Sequence, residues 1–311
     1  MNILKPLLTA LLLVAGLAWQ PMAAAQTAGD YSKEGADTCL GCHDDETAAY
    51  SASALFKTKH AQRGDKRTPF GVGGLQCEAC HGPGAAHAKN KKAASITTFK
   101  ADSRLPLEQR NQVCMSCHEG MSRTGWHAGA HERGQVACTD CHKVHREHDP
   151  VLAKATEPQV CLACHKAQRA DFQKTSSHPI RQGKMACSDC HNAHGSSTPG
   201  SLVKTTLNQT CNSCHTDKRG PVLWEHQPVT EDCALCHNPH GSVRQALLVK
   251  NPPLLCQQCH NPAGHPSVPR TAGSLPGGAA AGQIFTVGGS CTNCHTQVHG
   301  SNHPAGAKLM R

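Results

Sequence analysis

The chain has 311 residues, with 31 Lys and Arg against 22 Asp and Glu (formal net charge +9), and only 3 Trp, 2 Tyr and 5 Phe. Hydrophobic residues make up 38%, below the usual share, so side chains alone do not build a core of the size this length would need. A filler other than aromatic and aliphatic side chains is required, and the 20 cysteines and 23 histidines indicate its chemistry.

In chain order, residues 1–25 read as a cleaved signal peptide. Lys5 supplies the positive start, Leu7 to Trp19 is an apolar stretch, and Ala23-Ala24-Ala25 is a small-residue cleavage site before Gln26. The apolar run is too short to cross a bilayer. No later stretch approaches about 18 uninterrupted apolar residues. With no cysteine before Cys39, there is no lipid-attachment site at the new N-terminus. A soluble, periplasmic protein in an oxidising compartment is expected. That compartment also excludes a nucleic-acid role for the basic clusters at Lys57, Lys59, Arg63, Lys66 and Arg67 and at Lys89, Lys91 and Lys92. These match instead the neutralisation of negative cofactor groups, or a docking surface.

From residue 39 onward every cysteine falls in a C-x-x-C-H motif, the attachment signature of haem c. The cysteine pairs are Cys39/Cys42, Cys77/Cys80, Cys114/Cys117, Cys138/Cys141, Cys161/Cys164, Cys187/Cys190, Cys211/Cys214, Cys233/Cys236, Cys256/Cys259 and Cys291/Cys294. Their following histidines are His43, His81, His118, His142, His165, His191, His215, His237, His260 and His295. The two thiols add across the vinyl groups of one porphyrin, and the histidine then reaches the iron from the same side. Paired C-x-x-C can also bind zinc, but zinc has no need of a fixed histidine after every second cysteine. A disulfide framework would leave irregular spacings. Ten covalently bound haems are expected.

The second axial ligands show in the flanks. Even-numbered motifs carry a histidine on each side: His60 and His87, His131 and His145, His178 and His194, His226 and His240. The tenth is looser, with His265 and His299. Odd-numbered motifs lack the pattern, so the repeating unit is two haems, used five times. Such self-similarity implies an elongated array with neighbour contacts. These ten flanking histidines complete bis-histidine ligation, leaving His127, His148 and His303 as spares. Outside the leader the methionines are few (Met115, Met121, Met185 and Met310). Iron with both axial positions filled has no vacancy for a substrate, which argues for electron transfer rather than catalysis. Direct metal reduction at exposed haem edges stays open. The lysine-terminated motif of nitrite-reducing multihaem enzymes does not occur. Tyr31 and Tyr50 are the only tyrosines that could form the haem cross-link of hydroxylamine-oxidising ones.

The segments between motifs are short, with 28 Gly and 19 Pro in the whole chain. The expected fold class is a multihaem cytochrome c: an elongated haem wire of short helices and loops with little regular secondary structure. Ala167 to Lys174 is a candidate helix. Residues 26–311 form one decahaem domain, as five two-haem units or two pentahaem halves.

Beyond the motifs, LQCEACHGP at 75–83, KRGPVLWEH at 218–226, CHNPHGSV at 236–243, LCQQCH at 255–260 and QVHGSNHP at 297–304 resemble the MtrA decahaem cytochromes, with the related PioA, MtoA and DmsE proteins. The resemblance covers nearly the whole mature chain. It implies a periplasmic wire inserted in an outer-membrane β-barrel porin. Such a wire exchanges electrons between periplasmic or inner-membrane cytochromes and an outer-surface redox partner or extracellular iron, in Fe(III) or mineral reduction or Fe(II) oxidation. The alternative is a free periplasmic shuttle to another reductase. The family's distal histidines match the ten flanking ones, with the choice between His299 and His303 left open.

Overall fold

A computed structural model describes residues 29–44, 76–92, 96–100, 102–120, 123–261 and 291–310. The leader, Tyr50, the basic cluster at 57–67, His60 and His265 lie outside the described residues. The chain divides into two compact units, Met1–Met115 and Ser116–Arg311.

A C-x-x-C-H motif places its three reactive side chains at i, i+3 and i+4, which share one face of a helical turn. The chain forms that turn at the motifs. The histidine N–H donates to the carbonyl of the first cysteine at 3.0 Å for His43, 2.9 Å for His142, 3.0 Å for His165 and 2.9 Å for His191, His215, His260 and His295. In the first unit the motifs sit on α1 (Ala36–Leu40), α2 (Cys77–His81) and the start of the third on α4 (Leu107–His118), with α3 (Ala85–Lys89) carrying His87. In the second unit they sit on α6 (Cys138–Cys141), α7 (Glu157–Leu162), α9 (Leu207–Asn212) and the 3-10 turns Cys187–Asp189, Cys233–Leu235, Cys256–Gln258 and Cys291–Asn293. Two of these turns are started by their own sequence: Asp140 and Asp189 accept from the backbone N–H of Ala137 and Ala186, at 2.8 and 2.9 Å.

Between motifs lie α5 (Ala130–Arg133), α8 (Lys166–Asp171) and α10 (Gln227–Glu231). The candidate helix at 167–174 is α8, which ends at Asp171, three residues earlier, with Phe172 buried just beyond it, 6% exposed. Helices of four to six residues do not persist in water alone, so tertiary ties must hold them. Among the described residues there is no strand, only isolated bridges, and no helix is long and apolar enough to cross a membrane.

The buried apolar side chains of the described residues are Ala36, Met115, Trp126, Ala137, Phe172, Ile180 and Ala186. That set is too small to carry a fold of this length at about 25 cal/mol per Å². Backbone interlocks take over part of the role, and they recur. Ser176 and Ser242 exchange N–H···O bonds of 2.9 and 2.8 Å, and Trp224 and Ser301 exchange bonds of 2.8 and 2.9 Å. Each couples the chain just before one flanking histidine (His178, His226) to the chain just after another (His240, His299).

Close approach of this kind needs glycine. Gly195 has φ +96°, and a Cβ there would fall inside van der Waals contact of the Gly125 carbonyl. Gly200 also has a positive φ, +68°, but faces open space. Gly195→Ala is therefore expected to combine the left-handed backbone cost with a forced shift, about 1–3 kcal/mol in all. Gly200→Ala bears the backbone part only. Thermal unfolding of the holoprotein should show the larger loss for Gly195→Ala, and equal losses would refute the close-approach account.

Candidate haem-binding sites

The flanking histidines and the motif histidines meet in pairs. Ring centres lie 6.0 Å apart for His131 and His165, 6.1 Å for His142 and His194, and 6.3 Å for His178 and His215. They lie 6.0 Å apart for His191 and His240, His226 and His260, and His237 and His299. An imidazole nitrogen sits about 2 Å from a bound transition metal, which puts the centres of two trans rings about 6 Å apart. Each pair joins one motif histidine to one flanking histidine, and one rule generates them all. The histidine upstream of an even motif meets the next odd motif, and the histidine downstream of an even motif meets the preceding even motif.

The rings are also oriented. Nδ1 of His131, His178 and His226 lies 2.7, 2.8 and 2.8 Å from the carbonyls of Ala193, Pro239 and Val298. Those carbonyls belong to the residues just before His194, His240 and His299. Among motif histidines, Nδ1 of His81, His191, His237 and His295 faces the carbonyls of Thr97, Gly200, Ala246 and Lys308 at 2.7, 2.7, 2.6 and 2.7 Å. Nδ1 of His142 faces Oδ2 of Asp149 at 2.8 Å. A carbonyl accepts only, so Nδ1 carries the proton and Nε2 is the nitrogen left to bind a metal. Burial pushes the His81, His194, His240 and His299 imidazoles below their ordinary range, toward the neutral form that ligates.

The few aromatic side chains gather here. Trp126 lies 6.5 Å from the His194 ring, Phe172 meets His240 edge-on at 5.7 Å, and Phe99 meets His81 at 5.5 Å.

The cysteine thiols, which stand in for the thioether sulfurs of an attached haem, cluster between neighbouring motifs. The Cys39 and Cys77 thiols interact in the first unit, and those of Cys161 and Cys187, Cys211 and Cys233, and Cys256 and Cys291 in the second. Second cysteines continue the series: Cys141 feels Cys161 and Cys164, Cys190 feels Cys214, and Cys236 feels Cys259. From the fourth motif to the tenth, successive attachment sites adjoin without a gap. Burial raises the Cys141, Cys190 and Cys236 thiols and pushes Cys211 up to about 12 and Cys256 up to about 11. Glu157, Cys161 and Cys187 do converge closely enough to hold an ion. However, Oε1 and Oε2 of Glu157 already accept from the N–H and hydroxyl of Ser188, at 2.8 and 2.7 Å, and both sulfurs belong to attachment motifs.

The ten cysteine pairs read alike in the sequence, but their two members differ in the structure. The first cysteine of every motif is half-buried. Of the second cysteines, Cys141, Cys190 and Cys236 are half-buried beside the thiols of the motif that follows. Cys42, Cys80, Cys117, Cys164, Cys214, Cys259 and Cys294 are exposed. The protein packs around the first sulfur of each pair, whereas the second stands at the end of a single helical turn, where the chain leaves it on the surface unless a neighbouring motif closes over it.

Of the spares, His127 is exposed with Nδ1 3.0 Å from Glu132, and His148 is exposed. His303 accepts at Nδ1 from Ala305 N–H, 3.1 Å, and its carbonyl accepts from the Trp224 indole, 2.9 Å. His299, not His303, meets a motif histidine. The sequence carried a signal for this choice. His194, His240 and His299 are each followed by glycine, and His303 by proline. Gly300 has φ +117°, where a Cβ would meet Val222 Cγ2 at 2.6 Å, so the His-Gly pair marks a backbone held tightly enough to aim the ring.

Comparisons with known proteins agree with this chemistry. A family described as "Cytochrome c-type protein NrfB-like" matches residues 77–159, and one described as "Doubled CXXCH motif" matches 178–220 and 226–265. The latter two matches begin on the flanking histidines His178 and His226. The chain is 50% identical over 283 residues to "Multiheme cytochrome MtrA" of Shewanella baltica, covering 91% of this chain and 83% of that protein. It is 28% identical over 186 residues to "Cytochrome c-type protein NrfB" of Escherichia coli, covering 55% and 92%. The doubled C-x-x-C-H motifs and the MtrA relationship support covalently bound haem c, and at the fourth to the ninth motifs the donor set fits the group: two cysteines and two facing imidazoles, one of them oriented through Nδ1.

His299→Ala is expected to convert one haem, that of Cys233–His237, to a high-spin ferric centre, while His303→Ala leaves the ferric EPR spectrum as in the wild type. The reverse result would exchange their roles.

Proposed function

We propose that this chain, which belongs to the MtrA family of multihaem cytochromes, is an electron-transfer protein with ten haem c groups that forms the periplasmic part of a conduit through an outer-membrane porin. Haem iron supplies one-electron exchange between its ferric and ferrous forms. The chain's own residues do the rest. Ten cysteine pairs would anchor the groups, and the motif histidines together with His60, His87, His131, His145, His178, His194, His226, His240, His265 and His299 would hold the irons. With both axial positions filled by nitrogen, the site has no place for a substrate at iron, and the opposed rings favour low potentials relative to His/Met ligation.

The observation that carries this reading is the run of adjoining attachment sites from the fourth motif to the tenth, with facing imidazoles at the fourth to the ninth. Neighbouring attachment points keep neighbouring porphyrins close, which is what relay of electrons over a distance needs and what a single reactive centre does not. Residues 1–25 would export the chain to the periplasm. A conduit must exceed the roughly 30 Å hydrocarbon core of a bilayer. A polar chain with no apolar span crosses that core only when shielded from lipid, and a closed barrel with a polar interior provides the shield. Partners follow from the two ends: periplasmic or inner-membrane cytochromes on one side, and an outer-surface redox protein or extracellular iron on the other.

Reconstitution in liposomes loaded with a redox dye tests the conduit. Barrel and cytochrome together should pass electrons from an external reductant, and cytochrome alone should not. Conduction by cytochrome alone, or failure of the two to associate, favours a free periplasmic shuttle or a direct metal reductase.

A further inference from the structure

The motif histidines of the five even-numbered motifs each direct Nδ1 at an oxygen acceptor, and one acceptor differs in kind. His81, His191, His237 and His295 direct Nδ1 at a main-chain carbonyl, whereas His142 directs it at the carboxylate of Asp149, 2.8 Å away. Asp149 is built into its place. Its side chain is 12% exposed, and Oδ1 accepts from the N–H groups of Lys143 (3.2 Å) and Val151 (3.4 Å), which leaves Oδ2 aimed at the ring. It also begins the 3-10 turn Pro150–Leu152, whose proline fixes the chain just after it. The partner imidazole, His194, is backed by the buried indole of Trp126, so both rings of this pair are fixed in orientation.

We propose that Asp149 is a positioning residue that sets the haem at Cys138–His142 to the lowest reduction potential among the even-numbered haems. A hydrogen bond from N–H to a carboxylate is roughly twice as strong as one to a neutral carbonyl. It draws the Nδ1 proton away and increases the electron donation of Nε2. A more basic axial ligand favours the ferric state and lowers the potential. The buried negative charge acts in the same direction. An electron reaching the fourth motif would there meet the least favourable of the even-numbered stations. The inference rests on bis-histidine ligation of this haem by His142 and His194.

Asp149→Asn keeps the size of the side chain and removes the carboxylate. Pro150→Ala loosens the same turn and leaves the carboxylate in place. Spectroelectrochemical titration of the holoprotein should show one centre moved to higher potential in Asp149→Asn, with the rest and all of Pro150→Ala unmoved. The near-infrared charge-transfer band in magnetic circular dichroism reports the donor strength of the axial imidazoles and should shift for that centre. An unmoved potential, an equal shift in Pro150→Ala, or a shifted potential with an unmoved band overturns the proposal. Ferric EPR of the wild type tests the underlying ligation separately: a high-spin haem at this motif in the unmutated protein would remove that premise instead.

Discussion

His131, His178 and His226 reach across 62, 61 and 72 residues to set Nδ1 against the carbonyl that precedes the histidine downstream of the next even-numbered motif, His194, His240 and His299. The rest of the second unit depends on that contact. It fixes two rings at once, because the donor ring faces one motif histidine and the residue after the acceptor faces another. Bringing such distant segments together has an entropic cost that grows only slowly with loop length, so the loops between can be short or long while the bracket stays the same. Opposed imidazoles about 6 Å apart follow from it, and so does the sharing of each repeat's ligands with its neighbours.

A chain built on this bracket needs little else. Most of its helices are only one or two turns long, those at the motifs present two sulfurs and a ring on one face, and their shortness is no defect when tertiary contacts tie them. The buried side chains that do exist serve the brackets: Trp126 and Phe172 stand against His194 and His240. Glu157, buried at 7%, clamps Ser188 beside the Cys161–Cys187 junction. Glu78, at 2%, holds Ser32 and Gly84 near the Cys39–Cys77 junction in the first unit. Interior volume and electron carriage are thus assigned to the same group, which explains why so few aromatic residues suffice.

The attachment motifs and the poverty of the core were legible from residue types and spacing alone, because covalent chemistry dictates the C-x-x-C-H order whatever the fold. The unequal burial of the two cysteines in a pair was not, since it depends on which neighbouring motif packs over the end of each turn. The flanking histidines stood out by number and position, and six of them, His131, His178, His194, His226, His240 and His299, face motif histidines. Their partners were not legible: a histidine's ring can face any iron its backbone brings within reach, and that depends on brackets formed across some sixty residues. Asp149 was invisible for a related reason. Nothing in H-R-E-H-D-P separates a carboxylate aimed at an imidazole from one facing water, whereas the glycines after His194, His240 and His299 recorded a steric demand that sequence does preserve.

Magnetic circular dichroism of the oxidised holoprotein, calibrated against its total haem content, tests the central claim most directly, because it counts iron by spin state and axial ligand together. Opposed imidazoles at every attachment site require all of the ferric haem to be low-spin with two nitrogen ligands. A substantial high-spin fraction, or the sulfur-to-iron band of methionine ligation, would contradict the paired-histidine arrangement on which the fold and the proposed electron path both stand.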